Sequence, residues 1–305
     1  MRFRIVNFLS IVGIVFIVGG CGSGPEKKKI PPHLVPLTVK GIENEPIQSV
    51  MLKINSAQRS WMNYVRDLPK REAAARVKTI EKYLREATSK RFNEILNYLI
   101  EGREFFKSIA AFAVGWPRNP DAIEPLIQAL RDDSNAVVAN ACLGLYVLCL
   151  PEIPVEPLEE VAKHHDDPDC RANAVLALSA LAGLPNGKRV RPILLDLLTD
   201  KDARIRVHAL RGLFKVAEKD DVDKIIPLIK DPIPLVRRAA VGVAGKLGGS
   251  KAVEALISAV SPEEPDKNVR LFARKALQRI SKKDGGYNVN EWKRIFALEL
   301  LESNK

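Results

Sequence analysis

An all-α solenoid, a stack of helical hairpins closed by a last helix, is the fold class this sequence predicts. Five segments carry the first observation: VVANACLGLYVL from Val137, CRANAVLALSAL from Cys170, IRVHALRGLFKV from Ile205, VRRAAVGVAGKL from Val236 and VRLFARKALQRI from Val269. Their alanines, Ala141, Ala174, Ala209, Ala240 and Ala273, are separated by 33, 35, 31 and 33 residues. Leu145, Leu178, Leu213, Ala244 and Leu277 follow four positions later, and Leu148, Leu181, Val216, Leu247 and Ile280 follow seven positions later. Spacings of four and seven define one apolar stripe on a helix. The second observation is composition: 46% hydrophobic, 28% charged and 6% aromatic residues fit a folded helical chain and exclude a disordered one. A helix pair with two apolar faces cannot bury both alone, so successive pairs must stack.

Taken in order, the chain opens with Arg2 and Arg4 ahead of an apolar run from Ile5 to Val18, then Gly19, Gly20 and Cys21. A basic start, a short apolar core and small residues describe an export signal. The run is short of the roughly 20 apolar residues a membrane span requires. Residues 22–50 hold Pro25, Pro31, Pro32, Pro36 and Pro46 with Lys27, Lys28 and Lys29, and read as an extended tether. Residues 51–102 form an N-terminal helical segment, with Val77, Ile80, Leu84, Ile95, Leu96 and Leu99 on apolar faces and Gly102 as a stop. Residues 103–283 hold the repeats, beginning with a degenerate half-repeat from Arg103 to Trp116. A first helix precedes each aligned segment: AIEPLIQAL, PLEEVAKH, VRPILLDLL, VDKIIPLI and AVEALISAV. Acidic residues mark each intervening turn, at Asp132, Asp133, Asp166, Asp167, Asp200, Asp231 and near Glu263. Residues 284–305 supply a cap: Gly285 and Gly286 break the preceding helix, Asn290 starts the last one, and Trp292, Ile295, Phe296 and Leu300 face the stack.

Two resemblances follow. Val18-Gly19-Gly20-Cys21 resembles the lipobox of bacterial lipoproteins, which implies cleavage before Cys21, acylation of that cysteine and membrane attachment in the cell envelope. Gly22, where an aspartate would favour inner-membrane retention, mildly favours the outer membrane by the same resemblance. The repeats resemble the HEAT family in its bacterial, PBS-lyase-like form, which implies a right-handed α-solenoid with the second helices on the concave, partner-binding side. The carrying signature is an acid in the turn and a valine–arginine pair opening the second helix: Asp200 with Arg206, Asp231 with Arg237, and Glu264 with Arg270, each six apart. In the family these acids and bases form a ladder. Val138 replaces the first arginine and His165 the acid before Arg171, so the ladder is expected to be incomplete toward the N-terminus.

Function is less legible. The formal charge is +11, with 22 basic and 14 acidic residues over 201–305, net +8, against 9 and 15 over 101–200, net −6. Six positions after the repeat alanine stand Lys215, Lys246 and Arg279, joined by Arg211 and Lys275 from a neighbouring column. His208, with Asn140 and Asn173 at the same offset in earlier repeats, extends a polar row, read more simply as a solvated face. These residues are the candidate partner surface. The cluster KHHDDPDC, residues 163–170, holds metal-ligand types, yet it coincides with the acidic turn, and the turn explains its aspartates. Cys142, Cys149 and Cys170 fall in apolar helical patterns and read as core. No G-x-S-x-G, S-x-x-K, G-x-x-x-x-G-K or H-E-x-x-H motif occurs, so no catalytic residue, metal or cofactor is expected. The sequence therefore predicts a lipid-anchored interaction scaffold for a protein partner. A binder of anionic polymers or headgroups through the basic strip is the alternative, and a HEAT-like lyase a weaker one. Export argues against nucleic acid.

Overall fold

The computed structural model of the chain describes residues 38–66 and 71–303. Cys21, the apolar run before it and most of the proline-rich tether lie outside the described residues. Among the described residues there are fifteen α-helices, short 3-10 turns and no strand. They fall into two compact units, one ending at Val161 and the other beginning at Ala162.

In the first unit a 3-10 turn, Ile42–Asn44, leads into α1 (Ile47–Arg66), which pairs with α2 (Arg71–Lys90). The body thus starts earlier than the expected tether boundary at residue 50. Ile42, Val50 and Met51 are fully buried. Buried Arg91 fixes this entry by donating from Nη1 to the Ile42 and Glu45 carbonyls at 2.7 and 2.9 Å, while Nη2 meets Glu94 at 2.6 Å. A planar fork of five donors can close a loop and pair an acid at once, which is why arginine suits the position.

Helix α3 (Phe92–Glu101) stops at Gly102 and turns into α4 (Glu104–Ala113), so the half-repeat expected from Arg103 has a complete partner helix. Next come α5 (Ile123–Ala129) and α6 (Asn135–Leu148), and α4 packs along α6. The approach is close enough that a Cβ on Gly144 would collide with the Ala111 carbonyl oxygen, and one on Gly115 with that of Gly144. Trp61 and Trp116 pack edge to face at 5.8 Å, with Phe112 against both. All three tryptophans of the chain, Trp292 included, are core residues. Cys142, Cys149 and Cys170 are buried, as their patterns predict.

Helix α7 (Glu156–His164) carries the chain into the second unit. There α8 (Pro168–Leu181), α10 (Ala203–Val216), α12 (Pro234–Leu247) and α14 (Lys267–Ser281) are the second helices of four repeats, each packed on the next. Between them run α9 (Gly187–Asp196), the short α11 (Val222–Ile225) and α13 (Gly249–Val260). Pro227 lacks an N–H, and from Ile226 the helix expected over VDKIIPLI continues only as 3-10 turns. Every repeat alanine and every residue four positions on is fully buried. The column seven on divides: Leu148 and Leu181 are buried, whereas Val216, Leu247 and Ile280 are half-buried at helix ends.

Helix α15 (Val289–Ser303) covers α13 and α14. Its cap is Asn288 and not Asn290: the Asn288 side-chain oxygen accepts from the backbone of Asn290 and Glu291 at 2.9 and 3.1 Å. Gly286 takes a positive φ of 61°, and its carbonyl receives the Trp292 indole N–H at 2.9 Å.

Candidate interaction surface

The turns repeat one piece of chemistry. The side chains of Asp132, His165, Asp200, Asp231 and Glu264 each accept from the backbone N–H two residues on, at 2.7 to 3.0 Å. In three repeats the residue carrying that N–H, Asp167, Asp202 or Asp266, then N-caps the second helix. His165 therefore does the work of the missing acid through Nδ1.

The arginine six residues after each turn acid does not pair with that acid's carboxylate. Nη1 of Arg206, Arg237 and Arg270 donates to the main-chain carbonyl of Asp200, Asp231 and Glu264, and Arg171 treats His165 the same way. The ion pair instead crosses to the following repeat. Arg206 grips Asp231 at 2.8 and 2.9 Å, and Arg237 grips Glu264 at 2.8 and 2.7 Å. Bidentate pairs of this kind combine strength with fixed geometry. Arg171 reaches Asp200 only at 4.0 Å. Within the first unit Lys107 meets Asp132 at 2.7 Å, a rung built on lysine that the arginine signature could not reveal.

Two members of the basic column bond to the repeat before their own. Lys215 Nζ donates to the Ser179 carbonyl at 2.7 Å, and Lys246 Nζ to the Lys215 carbonyl at 3.0 Å. Both acceptors lie in the last turn of the preceding second helix, where carbonyls lack helical partners and the dipole favours a cation. Arg279 continues the series, with Nη2 3.2 Å from where a Cβ on Gly245 of α12 would stand. Lys215 and Lys246 thus tie neighbouring repeats together. Lys275 and Arg279 are exposed, and Arg211 is half-buried.

His208 is not on a solvated face. It is buried, its Nδ1 lies 3.5 Å from Arg211 Nη1, and burial, with the Arg211 and Arg204 charges, pushes its pKa down to about 3. A neutral, covered imidazole cannot serve as the contact residue expected there. Asn140 is occupied as well, accepting from Gln58 and donating to Ser108, both at 2.8 Å.

Aromatic residues on this face carried no signal in the sequence. Phe214 and Phe272 are each 45% exposed. Helix α12, between their two helices, lays Lys246 over the Phe214 ring at 5.7 Å and Arg238 over the Phe272 ring at 5.6 Å. Gly242 of α12 has open space where a side chain would be. The second helices thus offer exposed rings braced by cations, with Arg211 three residues before Phe214 and Lys275 three residues after Phe272.

In the 163–170 cluster, Lys163 meets Asp196 at 3.2 Å, Asp167 caps α8, Cys170 is buried and His165 closes the turn. Among the described residues no three His, Cys, Asp or Glu side chains converge as metal ligands, and no helix is long and apolar enough to cross a membrane.

No curated protein matches the chain in sequence. Solved structures similar to it include an engineered protein, 18% identical with a TM-score of 0.47, covering 62% of this chain and 96% of that one. A designed armadillo repeat protein is 17% identical with a TM-score of 0.48, covering 61% and 98%. The family model of HEAT repeats matches residues 105–179, 155–232 and 222–286. Those matches run through more than half of the sequence and coincide with the stacked hairpins and their cross-repeat rungs, so the chain belongs to the HEAT repeat family.

Proposed function

We propose that this protein is a non-catalytic scaffold, tethered in the bacterial cell envelope through an acylated Cys21, that recruits a protein partner on the second helices of its second unit. The observation that carries the partner surface is the pair of exposed rings, Phe214 and Phe272, each held under a cation from α12. Exposed aromatic and arginine side chains on rigid elements are the residue types that dominate protein recognition. The tether rests on the sequence alone, on the small-residue approach to Cys21. Two of the three strip cations are bonded to helix ends, which favours a protein partner over an anionic polymer.

Site-specific photocrosslinking tests the surface. A photoreactive phenylalanine at position 272 or 214 should yield one discrete adduct in native membranes, and the same group at exposed Glu254 on α13 should not. Adducts of equal yield from all three positions would remove the proposal. Intact mass of the mature protein tests the tether, because acylation at Cys21 adds fatty-acid mass that Cys21→Ala lacks.

A further inference from the structure

Among the described residues the ladder ends on a base, Arg270, that meets no acid. Arg206 and Arg237 each spend Nη1 on the carbonyl of their own turn and commit Nε and Nη2 to a carboxylate of the next repeat. Arg270 repeats the first half of this arrangement, with Nη1 on the Glu264 carbonyl. Among the described residues no acceptor meets its Nε or Nη2. Three acids of this region are committed elsewhere: Glu264 to Arg237, Asp266 to the backbone of Asn268 and Val269, and Asp284 to Arg274 at 2.9 and 2.6 Å. Arg274 and the Gly286 N–H together hold Asp284 down at about 2, so it stays bound there as a carboxylate. In front of Arg270 lies an open cavity of about 370 Å³, lined also by Val260, Pro262, Lys267 and Tyr287. Its lining combines the basic residues Arg270 and Lys267 with Tyr287, whose ring lies under Arg274, and with apolar Val260 and Pro262.

The geometry points to a carboxylate-binding site at Arg270, taking an acidic side chain presented by a partner polypeptide in the place that Asp231 and Glu264 fill on the earlier rungs. The chemistry is that of the occupied rungs: two parallel N–H···O bonds from a fork already oriented by its third nitrogen. Lys267 adds a second positive charge, and Val260 and Pro262 fit the apolar residues that flank a turn acid. The site is separate from the face bearing Phe214 and Phe272, so crosslinking at those rings and occupancy at Arg270 succeed or fail independently.

The test uses the full chain and three probes: the octapeptide of this protein's own rung, Lys230 to Arg237; the same peptide with Asp231→Asn; and sodium acetate. The readout is the arginine Nε–Hε resonance of Arg270, assigned by its loss in Arg270→Gln. The expected result is saturable movement of that resonance with the Asp peptide, at least tenfold weaker binding of the Asn peptide, and no saturation with acetate over the same range. Arg270→Gln should bind none of the probes and should lower the unfolding midpoint less than Arg206→Gln does, because it removes only the bond to the Glu264 carbonyl, whereas Arg206→Gln also breaks a bidentate ion pair. Acetate binding as tightly as the Asp peptide would overturn the polypeptide as the source of the acid. Equal binding of the two peptides, or no movement at all, would overturn the site.

Discussion

Arg237 and Glu264 belong to successive repeats, yet their side chains lie within hydrogen-bond distance at two points, 2.8 and 2.7 Å apart, with only 9% of each exposed. Removing one member strands the other charge in a largely covered site, which typically costs about 3–5 kcal/mol. Arg237→Ala should therefore lower the free energy of urea unfolding by about that amount. Lys251→Ala, which opens an ion pair to Asp223 with both side chains 63% exposed, should change it by less than about 0.5 kcal/mol. Similar losses from both would mean that the rungs do not hold the repeats together.

Two glycines on second helices should respond to alanine with opposite signs. At Gly144 a Cβ meets the backbone oxygen of Ala111, which no side-chain adjustment relieves, so Gly144→Ala should destabilise by at least about 1–3 kcal/mol. At Gly242 nothing lies within 4 Å, and Gly242→Ala should stabilise by about 0.5–1 kcal/mol through helix propensity and a less free unfolded chain. Thermal unfolding of the two variants decides.

Buried His208 makes stability fall in acid. Its folded pKa near 3 lies below the unfolded value of 6.5, so between these limits the unfolded chain binds a proton that the folded chain refuses. The loss begins as pH drops through 6.5 and is complete near 3. His208→Gln should flatten the stability profile across that window while leaving the slope above pH 7 unchanged. An identical profile in the variant would show that the imidazole is hydrated.

Charge reversal separates the two kinds of cation on the second helices. Lys215→Glu deletes a bond to the end of α8 and places a negative charge against its dipole, which should cost about 1 kcal/mol or more. Lys275→Glu alters an exposed position and should leave the melting temperature within about 2 °C of wild type, by the usual scale of surface changes. If Lys275 faces the partner, its reversal should instead weaken photocrosslinking from position 272, most strongly at low salt.

The stack was legible because burial imposes a period: Ala209 and Leu213 recur in every repeat, in identity or kind, for the single reason that the next helix lies against them. The rungs were half legible. Asp231 and Arg206 are visible as residue types, but a spacing of six invites pairing within a repeat, and only the fold shows the guanidinium dividing itself between its own turn's carbonyl and the next repeat's carboxylate. His208 was misjudged because a polar residue beside an apolar stripe reads as solvated, and one helix cannot show how closely its neighbours approach. Lys107 was missed because its rung lacks the valine–arginine signature. Phe214 and Phe272 stood out in no pattern, since the cations over them come from a different repeat.

Because every rung joins a base in one repeat to an acid in the following one, the bonding has a direction, and length can change only in whole steps. Excising one complete hairpin, from the residue after Arg206 through Arg237, would leave Arg206 facing Glu264 as it now faces Asp231, a like-for-like exchange. Excising half a hairpin would strand an arginine and an acid inside the stack. Evolution or engineering can then lengthen or shorten such a chain by duplicating or deleting modules of 31 to 35 residues with little electrostatic consequence. Each such change leaves the bonding running the same way, from an arginine to the turn acid of the following repeat.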